Sequence, residues 1–102
     1  AAAAPHLQAM LTDSDDDVRL LACEIARELP SDIATPMLTQ LLQRDDAVNV
    51  CIAAIEVITE IGAPEDIGPL RAAAQRFPED AFLQFAVEAA VERINASGHG
   101  RG

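Results

Sequence analysis

The sequence contains no lysine, no tryptophan and no tyrosine, and only 3 of its 102 residues are phenylalanine. Without lysine there is no Schiff-base chemistry and no P-loop lysine to hold a phosphate. All 7 basic residues are arginine and face 17 Asp and Glu, for a formal net charge of -10. Affinity for a phosphate backbone rests on clustered positive charge, so nucleic acid is not an expected partner. An anionic membrane surface is disfavoured for the same reason. The 2 cysteines, Cys23 and Cys51, are too few for a disulfide framework. They read as reduced thiols, and a cytoplasmic location is expected. The 2 histidines, His6 and His99, stand at no zinc-ligand spacing from them. No apolar run approaches the ~18 residues of a membrane span. The first residues have neither the basic start nor the long apolar run of a secretory signal. No stretch sustains period-2 alternation, so no sheet is expected.

What is present is small and aliphatic. The hydrophobic fraction is 50% and consists mainly of Ala, Leu, Ile and Val, which suits close packing of helices. The length allows one domain or a piece of a longer array. The apolar residues recur with a period near 32, a signature of stacked helical units. Leu7, Met10 and Leu11 are matched by Leu38, Leu41 and Leu42 at a shift of 31. Val18, Leu21, Ala22, Ile25, Ala26 and Leu29 form one helical stripe, matched at a shift of 32 by Val50, Ala53, Ala54, Val57, Ile58 and Ile61. A third unit carries Ile67, Leu70, Ala73, Ala74 and Phe77. Its last helix carries Phe82, Phe85, Ala86, Ala89 and Ala90, with Leu83, Val87, Val91 and Ile94 beside them and a register slip of about one residue.

Punctuation agrees with this reading. Pro5 suits a first helical turn. Ser14 or Asp15 is a good N-cap, as is Ser31 or Asp32, and the Asp cluster at 13–17 favours the positive end of a helix dipole. Pro30 stops the first stripe, Asp45-Asp46 breaks the second unit, and Gly62 suits a left-handed helix end. Pro64 opens the third unit, and Pro78-Glu79-Asp80 divides it. The fold expected is all-α: a right-handed α-solenoid of about three antiparallel helix pairs. It occupies residues 1–96 as a single domain, with repeats at about 4–30, 31–62 and 63–96 and a flexible Gly-rich tail at 97–102.

The run Asp13-Ser14-Asp15-Asp16-Asp17-Val18-Arg19-Leu20-Leu21-Ala22 resembles the acidic turn, Val-Arg pair and following Ala of HEAT repeats, in particular the HEAT-like repeats of phycobilisome lyase subunits. Ile61 to Leu70 resembles their inter-repeat link. Repeat two departs by placing Cys51 where the Arg would stand, and repeat three has no Val-Arg pair. The resemblance implies a right-handed superhelix with the second helices on the concave side.

Those second helices carry the candidate site. Glu24, Glu56 and Glu88 are spaced by 32, as are Glu28, Glu60 and Glu92. In a stacked solenoid they form two acidic rows that attract a basic protein segment. The alternative is an ordinary solvated face of repeats sharing one template. Leu20, Ile52, Ile55 and Phe85 lie off the main stripes and, if exposed, add an apolar strip beside the rows. Burial against neighbouring repeats is the competing reading. Asp13, Asp15, Asp17 and Glu24 match positions 1, 3, 5 and 12 of a calcium loop. Val18 stands where that loop needs Gly, however, and Glu24 lies within the helical stripe, so no metal site is expected. Neither a cofactor nor a catalytic residue is expected.

The functional expectation is a non-catalytic protein-interaction module or scaffold. Two alternatives stay open: an accessory subunit resembling bilin lyase or isomerase components, and a structural fragment of a longer array that self-associates through its repeat ends.

Overall fold

The structure, a computed structural model, describes the backbone of residues 3–100 and the side chains of residues 5–97. Six α-helices are present among the described residues: α1 Ala3–Leu11, α2 Asp16–Ala26, α3 Ser31–Arg44, α4 Val48–Ile61, α5 Ile67–Arg76 and α6 Ala81–Gly100. A single 3-10 turn, Pro64–Asp66, leads into α5.

Short polar side chains set most of the boundaries. Asp15 caps α2, its Oδ1 accepting from the Asp17 N–H at 2.9 Å, while Asp13 Oδ1 accepts from the Asp15 N–H at 2.8 Å. Asp45 Oδ1 accepts from the Ala47 N–H at 3.0 Å just before α4 begins. Asp66 Oδ2 accepts from the Ala63 N–H at 2.8 Å, and Asp80 Oδ1 accepts from the Leu83 N–H at 2.9 Å. Three boundaries differ from those read in the sequence. Pro30, not Ser31 or Asp32, occupies the cap position of α3, and no side chain bonds there. The α2 helix ends at Ala26, with Arg27–Leu29 in tight turns. Helix α6 continues through Gly100, past the point where the tail was placed; only Arg101 and Gly102 of that segment lie outside the described backbone.

Gly62 is also a correction. Its φ of -76° and ψ of 167° are extended, not left-handed. Close approach is what requires glycine there. A Cβ would lie 2.5 Å from the Ile58 carbonyl oxygen, 2.8 Å from Ile58 Cγ2 and 3.2 Å from Ile94 Cδ1.

The helices pack as three pairs, α1 on α2, α3 on α4 and α5 on α6. First helices neighbour first helices (α1–α3–α5), and second helices neighbour second helices (α2–α4–α6). The Cα extents are 38 × 34 × 16 Å, and the thin dimension fits two helix layers about 8–10 Å apart. The expected all-α solenoid is therefore the fold. The core runs between the layers and centres on α4, where Val50, Cys51, Ala53, Ala54, Ile55, Val57 and Ile58 are all buried. On α2 the buried positions are Ala22, Cys23 and Ala26. Leu21 and Ile25, which the sequence stripe places in the core, are 55% and 38% exposed.

Arginines tie successive repeats together. Arg19 grips Asp45 with two bonds, Nε to Oδ2 at 2.6 Å and Nη2 to Oδ1 at 3.1 Å, and donates Nη1 to the Asp13 carbonyl at 2.8 Å. The bond to Asp45 chiefly raises the Arg19 pKa. Arg44 donates to the Leu11 carbonyl at 3.2 Å, and Arg76 to the Leu42 carbonyl at 2.6 Å. Each of these two satisfies a carbonyl that the end of the preceding first helix would otherwise leave unpaired.

Candidate functional site

The register of α6 decides the site. Its buried side chains are Leu83, Val87, Ala90, Val91 and Ile94. They match Val50, Ala54, Val57, Ile58 and Ile61 of α4 at a shift of 33, not 32. One residue is about 100° of rotation on an α-helix. The extra residue therefore turns every α6 side chain away from the position that a strict 32-residue repeat assigns to it.

Two consequences follow for the acidic rows. Glu24, Glu56 and Glu60 are exposed on the second-helix face of α2 and α4, and Glu28 is exposed in the turn that follows α2. Glu88 is exposed too, but on the α5 side of α6: its Oε2 lies 3.9 Å from Arg71 Nη1 of α5. One turn earlier on that side, Gln84 donates to the Ala74 and Phe77 carbonyls at 2.8 and 2.9 Å. Glu92 is exposed and lies within about 20° of Phe85 around the α6 axis, so it stays on the outward face. The six carboxylates do not form two continuous rows, because Glu88 turns toward α5. The rows are also not purely acidic. Arg27 bridges them, with Nη1 2.8 Å from Glu24 Oε1 and Nη2 3.1 Å from Glu60 Oε2. Its Nε is buried and has no acceptor among the described residues.

The apolar strip divides in the same manner. Leu20 and Ile52 are half-buried and Phe85 is 74% exposed, so these three reach the surface. Ile55 is fully buried in the α4 core and is not part of any docking face. Its counterpart on α2 at a shift of 32, Cys23, is fully buried as well, so this position faces inward in both repeats.

The 33-residue shift aligns three levels across the face: Leu20–Ile52–Phe85, then Glu24–Glu56–Ala89, then Glu28–Glu60–Arg93. Between α4 and α6 they enclose an open groove of about 440 Å³, lined by Ile52, Glu56, Glu60, Phe85, Ala89 and Arg93, with Phe82 at one end and Arg27 on the α2 side. Phe82 is 82% exposed. Arg27 follows α2, which keeps the 32-residue register with α4; Phe82 and Arg93 are groove residues that a 32-residue template misses. The buried series at 83, 87, 90, 91 and 94 holds the signal that locates them.

Among the described residues the groove offers charge and apolar contact, and neither thiol opens onto it. Both thiols are fully buried. Burial, with the nearby Asp45 charge second, pushes Cys23 up to about 12 and Cys51 up to about 11. A thiol so raised supplies little thiolate near neutral pH. Among the described residues no group of three His, Cys, Asp or Glu side chains is placed to hold a metal ion. The Asp15 carboxylate is engaged in the α2 cap, accepting from the Asp17 N–H. Among the described residues no helix is long and apolar enough to cross a membrane.

The family model for HEAT repeats matches residues 3–92. The chain belongs to the HEAT repeat family. Proteins of this family are typically non-catalytic scaffolds, and the repeats generally mediate protein–protein interaction. No curated protein and no solved structure matches the chain.

Proposed function

We propose that this HEAT-repeat chain, acting as one domain over residues 1–96, is a non-catalytic module that binds a protein partner on the face formed by α2, α4 and α6. One observation carries the reading. Two phenylalanines one turn apart, Phe82 and Phe85, are 82% and 74% exposed beside a groove that already has an apolar wall in Ile52 and Ala89. Scattered exposed aliphatics need no explanation, but adjoining exposed aromatics at a groove mark a contact surface. Glu24, Glu28, Glu56 and Glu60 give that surface its charge, and Leu20 extends its apolar edge. The test is a partner captured from the source cells and mapped by amide chemical shifts. Perturbation should centre on Leu20, Ile52 and Phe85. Perturbation confined to α1, α3 and α5 would overturn the reading.

A second reading is favoured by Leu21 and Ile25, which are exposed on the flank of α2 away from α4. Their counterparts at a shift of 32, Ala53 and Val57, are buried inside the stack. That flank is an open stacking face for another helix pair or a second copy. Sedimentation velocity tests it: self-association should appear with concentration and vanish in Leu21→Glu. A narrower kinship, with the HEAT-like repeats of phycobilisome lyase subunits, rests on the run Asp13 to Ala22. Absorbance on mixing the protein with a bilin tests it.

A further inference from the structure

The three levels across the second-helix face differ in chemistry, and their order specifies an occupant. The first level is apolar throughout: Leu20, Ile52, Phe85. The second and third are acidic on α2 and α4 and change on α6, to Ala89 and Arg93. Of the two cations on the face, Arg27 is already held between Glu24 and Glu60. Arg93 has no ion-pair partner among the described residues. The charge without an ion-pair partner among the described residues is therefore negative at Glu28, Glu56 and Glu92 and positive at Arg93, with an apolar edge running alongside.

Resting on the binding face proposed above, we infer that its occupant is a cationic amphipathic polypeptide segment laid across α2, α4 and α6. Its apolar edge covers Leu20, Ile52 and Phe85. Its Lys or Arg side chains lie over Glu28 and Glu56, beside the Glu60 that Arg27 holds, and an acidic or neutral residue meets Arg93. Neighbouring helix axes are about 8–10 Å apart. Apolar anchors at that spacing are about seven residues apart on a helical segment, at 1.5 Å per residue. On an extended segment they are about three apart, at roughly 3.3 Å per residue. A second copy of the chain is the wrong occupant for this face. It carries the same net charge of -10 and the same exposed carboxylates, and juxtaposed like charges oppose docking. A nucleic acid is repelled by the same groups.

The test is selection from a phage-displayed library of random peptides against the whole chain, followed by synthesis of the enriched peptide. Its binding is then mapped by chemical shifts and measured by anisotropy. The expected peptide combines apolar residues at one of the two spacings with Lys or Arg, and it perturbs Ile52, Glu56 and Phe85. The double variant Glu56→Lys, Glu60→Lys should weaken it about tenfold or more and flatten the salt dependence. Phe85→Ala should weaken it by a similar factor. All three side chains are exposed, and circular dichroism checks that the variants stay folded. Acidic or uncharged peptides selected on this same face would overturn the inference while leaving the binding face standing. Peptides mapping elsewhere, or none selected, would overturn both. A concentration-dependent dimer broken by Phe85→Ala would replace the inferred occupant with a second copy.

Discussion

At the junction between α2 and α4, Arg19 crosses from one repeat to the next and holds Asp45 by two bonds, with the carboxylate only 3% exposed. At the junction between α4 and α6, the position corresponding to Arg19 is Cys51, whose thiol donates to the Asp45 carbonyl at 3.4 Å and reaches no further. The first junction keeps the 32-residue register; the second runs at 33. Arg76 on the Leu42 carbonyl repeats the Arg44–Leu11 contact of the first junction and adds a pair to exposed Asp46; what the second junction has in place of the missing clamp is the tight seat of Ile94 against Gly62. One stack thus uses two means of joining repeats, a directional charge pair and steric fit. The steric joint tolerates a one-residue slip because methyl groups impose no acceptor geometry. The slip, in turn, carries Glu88 toward α5 and brings Arg93 to the groove between α4 and α6.

The sharpest way to break this comparison is at Arg19. Arg19→Ala strands the Asp45 carboxylate with the Ala47 N–H as its side-chain partner. Removing one member of a fully buried pair destabilises by about 3–5 kcal/mol. Arg19 keeps 15% exposure, so about 2–3 kcal/mol is expected in urea denaturation. A loss below the ~1 kcal/mol of a surface pair would show that the clamp adds little. At the second junction Gly62→Ala should destabilise by about 1–3 kcal/mol through overpacking on Ile58 and Ile94. If steric fit is the joint, Ile94→Ala in the same background should recover part of that loss, which a double-mutant cycle reads directly.

The thiols give a pH signature that both junctions share. Cys23 and Cys51 are raised above the ordinary thiol value, so between about pH 9 and 12 the folded chain holds protons that the unfolded chain has released. Stability should fall as pH rises through that window and be level for these groups below it. Alkaline denaturation midpoints compared with Cys23→Ala and Cys51→Ala variants measure this. Thiol reagents at pH 8 should react slowly with the folded chain and quickly in denaturant. The smallest effect is at Arg71, whose pairing with Glu88 is long and exposed on both sides. Arg71→Ala should change stability by less than about 0.5 kcal/mol. A larger loss would mean that the third repeat depends on that contact for its rotated register.

Several parts of this molecule were legible in the linear pattern because they depend on neighbours along the chain. The alternation of apolar stripe and acidic turn located each helix pair, since an N-cap such as Asp15 acts on an amide two residues away. The expectation against a nucleic-acid partner likewise rests on composition, the absence of lysine and the large negative charge, and not on shape. The inward burial of Ile55, the exposure of Leu21 and Ile25, and the outward phenylalanines were not legible. Each depends on whether another helix lies across that flank, and a repeat template treats the end of a stack as it treats the middle.

The residues alone determined that apolar side chains recur at helical spacing and that the breaks between them are too short for anything but antiparallel pairs. Only packing decided which carboxylates look the same way. An α6 helix seated by Leu83, Val87 and Ile94 takes whatever rotation fills the space beside α4, and about 100° per residue is enough to move a charge from one face to another. Burial of the aliphatic side chains fixes that rotation, and the exposed glutamates and Arg93 follow it.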